Sequence, residues 1–219
     1  MPHKSVLPSR TFGKNRENVS RSDRGARVRY ASFVAQPAKR PATYADLEAL
    51  PGNVVGEILF GVLHAHPRPA APHAQASSTL GELLGDPFKR GRGGPGGWII
   101  LDEPELHFGA DVVVPDLAGW RRERMPTLPE TAFFTLAPDW VCEVVSASTE
   151  ALDRSDKMDV YLRVRVQHVW FVDPVAKTLE VFRRENDRFY VVKTWRDAAV
   201  VRAEPFDAIE IALADLWQR

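Results

Sequence analysis

A glutamate stands inside a segment whose pattern predicts a buried β-strand. In residues 140–145 the side chains alternate between two apolar faces, and Glu143 shares its face with Val141 and Val145. An unpaired buried carboxylate costs free energy, so Glu143 requires a cation, a metal ion or a proton beside it.

An aspartate stands in a second predicted strand, residues 111–117, on the face of Val112 and Val114. The neighbouring Pro115 cannot donate to a β-ladder, so this strand ends, bulges or lies at a sheet edge there, which would expose Asp116 at a strand end. Two carboxylates on consecutive strands can share a Mg²⁺ ion, because this ion keeps several of its waters and needs few protein ligands. Such an ion polarises a phosphoryl oxygen and acidifies a bound water.

A lysine supplies the candidate cation beside the attacking water. In a predicted helix over residues 151–164, Lys157 shares one face with the residues at i+3, i+4 and i+7, which are Val160, Tyr161 and Val164. That face points to the core, so Lys157 would project toward the end of the Glu143 strand. The alternative is an ordinary i, i+4 ion pair with an acid one turn earlier, Asp153, on a solvated surface.

A third acid and a histidine cluster lie earlier in the chain. Glu57 shares a strand face with two apolar residues, which suits either a further acidic ligand or a buried ion pair with an arginine. His64, His66 and His73 are metal-ligand types, but the proline-rich stretch between them makes their convergence uncertain.

Hydroxyl and basic side chains near the two acids could touch a nucleic acid. Ser146 and Ser148 follow the Glu143 strand, where they are either turn and helix-capping residues or phosphate contacts. Arg121 and Arg122 follow Trp120 in a segment that could form a basic, aromatic loop against a nucleic-acid strand.

The elements that would position these residues form a mixed α/β chain. Thr43 with Asp46 predicts a helix start, and glycine-rich residues 91–97 predict a flexible loop. The remaining pattern predicts two short strands in residues 54–65, a helix in 74–84, strands at 98–101, 105–108, 139–145, 169–172, 178–182 and 188–192, and a short closing helix at 213–217.

Charge divides the chain into two parts although the formal net charge is zero. Residues 1–40 carry ten Lys and Arg against two acids and are predicted to be a disordered basic arm, whereas residues 41–219 are acidic and form the predicted domain. The single cysteine excludes an internal disulfide framework. No apolar run is long enough to form a membrane-spanning helix, and no signal-like segment is present. These features predict a cytoplasmic protein with no membrane partner.

The ordered set of short motifs between Thr43 and Trp217 resembles the Uma-two family, within the PD-(D/E)xK superfamily of restriction-endonuclease-like proteins. The fragments that carry the resemblance are Tyr44–Leu47, Gly56-Glu57-Ile58 with Gly61, His73, Val114–Leu117, Glu143–Ser146 with Ser148 and Thr149, Asp153–Lys157 with Tyr161, and Val169–Pro174. The resemblance implies an α/β (α+β mixed) fold: a restriction-endonuclease-like core with a mixed β-sheet flanked by helices, and an N-terminal helix and hairpin.

The resemblance also implies roles for individual residues. Asp116 would be the first acid of the motif and Glu143 the second, both holding Mg²⁺ or Mn²⁺. The standard motif has its lysine two residues after the second acid, where this chain has Val145; Lys157 on the following helix takes that role. Glu57 would be the acid of the N-terminal region, and His73 would line the same cleft. The family usually has Asp-Gly-Glu in the early hairpin, where this chain has Phe60-Gly61-Val62.

The leading hypothesis is a metal-dependent endonuclease that hydrolyses phosphodiester bonds, with DNA as the expected substrate and a homodimer as the form suited to double-strand cleavage. In this hypothesis Lys157 orients the attacking water, and Asp116→Ala or Lys157→Ala abolishes cleavage without unfolding the protein. The alternatives are a non-catalytic nucleic-acid-binding or interaction module on the same fold, and a metal-dependent hydrolase or lyase with another substrate.

Overall fold

A computed structural model describes residues 33–34 and 40–218. The predicted basic arm of residues 1–40 therefore lies, except for residues 33, 34 and 40, outside the described residues. Within the described part of the chain, no helix is both long and apolar enough to cross a membrane.

Thirteen strands and four α-helices alternate along these residues. The strands are β1 (Phe33–Val34), β2 (Val54–Leu59), β3 (Val62–Pro67), β4 (Trp98–Asp102), β5 (Leu106–Phe108), β6 (Asp111–Val113), β7 (Leu117–Arg121), β8 (Trp140–Val144), β9 (His168–Asp173), β10 (Thr178–Glu185), β11 (Arg188–Arg196), β12 (Val200–Val201) and β13 (Ile211–Ala212). The helices are α1 (Tyr44–Glu48), α2 (Ala71–Leu84), α3 (Glu150–Leu152) and α4 (Met158–Arg163), with π-helical turns at Gly85–Lys89 and Asp153–Lys157 and a 3₁₀ helix at Leu213–Trp217.

The central layer is a six-stranded sheet in the order β11-β10-β9-β8-β7-β4. Only the β8–β9 pair is parallel, because the segment containing α3 and α4 crosses over between these two strands. A second, antiparallel sheet in the order β1-β3-β2-β6-β5 contains the N-terminal hairpin. This arrangement confirms the predicted mixed α/β fold with its early helix and hairpin.

The predicted strand over residues 111–117 is wrong. The chain instead leaves the five-stranded sheet after β6 and enters the six-stranded sheet at Leu117. Pro115 lies in the crossing, where its missing N–H costs no ladder hydrogen bond. Asp116 therefore does not share a strand face with Val112 and Val114, but lies at the junction of the two sheets.

The segment after Asp116 was predicted to form a loop, but it forms strand β7. Trp120 lies inside β7, is fully buried, and donates its indole N–H to the carbonyl of Leu136 at 2.8 Å. A buried tryptophan with a satisfied donor packs the core rather than stacking on a nucleic-acid base.

β8 has apolar cores on both faces, as its sequence pattern predicts. On one face Trp140 packs edge-on against Trp170 and Phe206, with ring centroids 5.4 Å and 4.9 Å apart. The other face presents Val141 to a separate cluster that includes Tyr161. Glu143, on the same face as Val141, is therefore buried beside this second cluster.

The cysteine beside this glutamate provides a simple test of burial. Cys142 is the only cysteine of the chain and is fully buried, and burial raises the pKa of its thiol well above the ordinary value, with Asp116 and Glu143 adding to the effect. We expect a thiol-reactive chromogenic disulfide to leave the native protein unlabelled and to label one thiol per chain after denaturation. Rapid stoichiometric labelling of the native protein would contradict the burial of Cys142 within β8.

Candidate active site

The register of β7 against β8 brings Asp116 beside Glu143. Leu117 is paired with Cys142, so Asp116, one residue earlier, faces Glu143 across the antiparallel pair. The Oδ2 atom of Asp116 accepts the backbone N–H of Val144 at 2.7 Å. The aspartate side chain thus continues the contact between the two segments where the regular ladder ends.

Lys157 lies at the centre of a group of acids. Its Nζ atom is 2.9 Å from Oε1 of Glu143, 3.2 Å from Oε1 of Glu57 and 3.4 Å from Oδ1 of Asp153. The carbonyl of Val114 is a further acceptor at 3.4 Å. Because an ammonium group has only three N–H donors, these carboxylates can engage all of them.

The inward direction predicted for Lys157 is confirmed, since only 2% of the residue is exposed. The alternative pairing with Asp153 also exists, but both partners are buried rather than solvated. Asp153 and Lys157 are the two ends of the π-helical turn between α3 and α4. Such single π turns occur frequently at functional sites.

Asp153 is the acid that the sequence did not single out as a site residue. Its i, i+4 spacing to Lys157 is visible in the sequence, but that spacing is common on solvated helix surfaces. Only the packing of the helical segment against β8 shows that this pair is buried.

Two further contacts fix the acids in place. Glu57, on β2, accepts the backbone N–H of Val114 at 2.8 Å through the same oxygen that faces Lys157. The Tyr161 hydroxyl donates to Oε1 of Glu143 in a short hydrogen bond. Residues from β2, β8 and the helical segment therefore meet in one connected polar group inside the core.

The group carries more acids than bases. Burial raises the pKa of Glu143 well above the ordinary value, and the neighbouring acids, Asp153 first, add to this while Lys157 opposes it. Burial alone would lower the pKa of Lys157, but the carboxylates of Glu143 and Glu57 outweigh burial and hold it well above the ordinary value. Lys157 is therefore a charged ammonium near neutral pH, and it is surrounded by more acids than one ammonium can neutralise.

His73 reaches the same place from the first turn of α2. Its Nε2 atom is 3.2 Å from Oδ1 of Asp116, and the residue is 9% exposed. Burial lowers the pKa of His73, but the hydrogen bond and charge of Asp116 more than compensate, so the net shift is upward. The sequence assigned His73 to the cleft, and the structure brings it into contact with Asp116.

The donor set fits a hard divalent cation in type and charge. Among the described residues, no three or more His, Cys, Asp and Glu side chains already converge as a metal cage. Mg²⁺ does not require one, since it is commonly held by one or two carboxylates and keeps its remaining waters. Asp116 and Glu143 are neighbouring acids in a group with more acids than bases, which is the environment that such an ion stabilises.

Four other residues singled out in the sequence lie at two different ends of the sheet. Ser146 and Ser148 follow β8 near the acids, and their hydroxyl oxygens are 3.0 Å apart, as in a self-contained turn. Arg121 ends β7 and Arg122 follows it, about 17–20 Å from Asp116 by strand rise. The structure therefore groups the serines with the acids and separates the two arginines from them.

Two comparisons with known proteins match this chain to proteins described as nucleases. A family model described as "Uma2: Putative restriction endonuclease" matches residues 41–214. A solved structure described as a "putative nuclease belonging to DUF820 from Anabaena variabilis ATCC 29413" is 22% identical, with a TM-score of 0.66, over 81% of this chain and 98% of that one. At this identity the likeness concerns the fold. No curated protein matches the chain.

Proposed function

Because the chain belongs to the Uma2 family, which is described as "Putative restriction endonuclease", we propose that it is a metal-dependent nuclease that hydrolyses phosphodiester bonds in DNA. The observation that carries this proposal is that Asp116, one residue before the Leu117–Cys142 pair, accepts the N–H of Val144 next to Glu143, which contacts the buried, charged Lys157. Nuclease chemistry needs a cation next to the scissile phosphate, and these acids are suited to hold one.

In this proposal Asp116 and Glu143 hold Mg²⁺ or Mn²⁺ through their carboxylate oxygens. When bound, the ion supplies a positive charge for the phosphoryl oxygen and lowers the pKa of a coordinated water. Hydrolysis forms a bond from the water oxygen to phosphorus and breaks the phosphorus–oxygen bond to the leaving sugar, which takes up a proton.

Lys157 receives a role defined by its contacts. Since Nζ of Lys157 lies within ion-pair distance of Glu143, Glu57 and Asp153, we assign Lys157 to holding these acids in place, in preference to activating the water. The Tyr161 hydroxyl keeps the second contact to Glu143. These neighbours fix one oxygen of Glu143 and restrict the orientation of the carboxylate.

A cleavage assay tests the proposal directly. Supercoiled plasmid and end-labelled DNA and RNA oligonucleotides are incubated with the protein in Mg²⁺, in Mn²⁺ or in EDTA. We expect DNA cleavage that requires the metal. Absence of cleavage of every substrate under all three conditions would exclude the proposed function, and cleavage of RNA alone would exclude the DNA assignment.

A second candidate is a nucleic-acid-binding module that does not cleave. The observation in its favour is that Lys157 already neutralises part of the acidic group. This module would bind oligonucleotides equally well in EDTA. A nuclease with an acidic, metal-binding group would bind them more tightly when the metal is present, because the metal reduces repulsion of the phosphates.

A further inference from the structure

Asp116 lies in a segment whose backbone is not held by a β-ladder, although a metal ligand needs a fixed carboxylate. It lies in the crossing between β6 and β7, outside any regular ladder, and it follows Pro115. Two contacts orient its side chain among the described residues: the backbone N–H of Val144 at Oδ2 and the His73 imidazole at Oδ1. Each oxygen of the carboxylate therefore has one partner.

The two partners come from different parts of the fold. Val144 belongs to β8, whereas His73 is fixed by α2, whose buried side chains pack Ala76, Leu80 and Leu84 into the core. A carboxylate held at one oxygen can still rotate about its terminal torsion. A second partner at the other oxygen removes that freedom, and each oxygen keeps a lone pair for another ligand.

The remaining ring nitrogen supports this assignment. Nδ1 of His73 is shielded from solvent and has no hydrogen-bond partner among the described residues. The contact with Asp116 is thus the one that fixes the imidazole, and it requires the proton on Nε2. Elsewhere in metalloproteins, hydrogen bonds to metal-binding side chains from outside the ligand set tune affinity in the same manner.

We propose that His73 is a positioning residue that orients Asp116 for metal binding. This inference rests on the proposed function, because it assumes that Asp116 is a metal ligand. His73 acts through Asp116 and is not assigned contact with the metal or the nucleic acid. Its imidazole restricts rotation of the carboxylate, and each oxygen keeps a lone pair for the metal.

The test measures Mn²⁺ affinity by calorimetry in the absence of nucleic acid. We expect His73→Ala to weaken Mn²⁺ binding by about 10- to 100-fold. His73→Gln, which keeps a side-chain N–H donor, should recover part of that loss. In cleavage assays at saturating metal, His73→Ala should lower kcat more than it changes KM for DNA.

The chain provides a matched control in His107. Its Nε2 atom is 2.6 Å from Oε1 of Glu105, so it forms a histidine–carboxylate pair on β5, in the five-stranded sheet. His107→Ala should leave Mn²⁺ affinity within about twofold of wild type, which separates orientation of Asp116 from a general loss of a histidine–carboxylate contact.

Two results would overturn the inference, and they differ from each other. If wild type binds Mn²⁺ and His73→Ala binds it equally well, His73 has no positioning role while the proposed function stands. If wild type binds no Mn²⁺ and cleaves nothing, the proposed function and this inference fail together.

Discussion

Replacement of Asp116 by asparagine should reduce metal-dependent cleavage by about 10³-fold or more and leave the protein folded. Loss of a metal ion's charge at the reacting phosphate costs several kcal/mol, and each ~1.4 kcal/mol corresponds to a factor of ten in rate. Asparagine keeps the size of the side chain and an oxygen that can accept the N–H of Val144. It loses the charged contact with His73 but removes one acid from a group that contains more acids than bases, so the free energy of unfolding should change little.

The control for this substitution is Asp102→Asn. Asp102 lies at the end of β4, is exposed, and is paired in register with Leu117, next to Asp116. Activity is measured as initial cleavage rate in Mg²⁺, and folding as the free energy of unfolding in urea. Wild-type cleavage by Asp116→Asn would remove Asp116 from the metal site, whereas equal losses in both variants would indicate a nonspecific charge effect.

Replacement of Lys157 by alanine should lower the free energy of unfolding by about 3–5 kcal/mol. The substitution leaves Glu143, Glu57 and Asp153 buried without their shared cation, and removal of one partner from a buried ion pair is strongly destabilising. This outcome differs from the sequence-based expectation that Lys157→Ala abolishes cleavage in an intact fold. The difference arises because the lysine is enclosed by the acids.

The measurement is chemical denaturation of Lys157→Ala, with Lys89→Ala as the control. Lys89 is exposed and donates to the carbonyl of Ile100 at 3.0 Å, outside the acidic group. Burial already raises the pKa of Glu143, and loss of Lys157 raises it further. Stability of the variant should therefore recover as the pH falls and the buried acids take up protons. A Lys157→Ala protein as stable as wild type at neutral pH would show that Lys157 does not stabilise the buried acids.

The sequence was sufficient for features that depend on one element at a time. Alternation in residues 140–145 predicted a strand covered on both faces, with Glu143 in an apolar row, and β8 confirms it. Helical periodicity predicted that Lys157 points inward. Both predictions need only the local period and the cost of burying charge.

Features that depend on two elements were not accessible in the same way. The chain changes sheets between Val113 and Leu117, and Pro115 indicates a break without indicating where the next strand pairs. Arg121 lies close to Asp116 in sequence, but the rise of β7 carries it to the other end of the strand. Spacing along the chain gives distance only after the element type and its partners are known.

The acidic group around Lys157 also has a consequence for the order of folding. Glu57, Asp116, Glu143 and Lys157 come from segments far apart in the chain, and β8 and β9 form a parallel pair that requires the helical crossover. Contacts between such distant segments form only after the chain entropy of long loops has been lost. The repulsion among these acids therefore arises only where distant segments pack together, and Lys157, which is brought in by the same packing, offsets it.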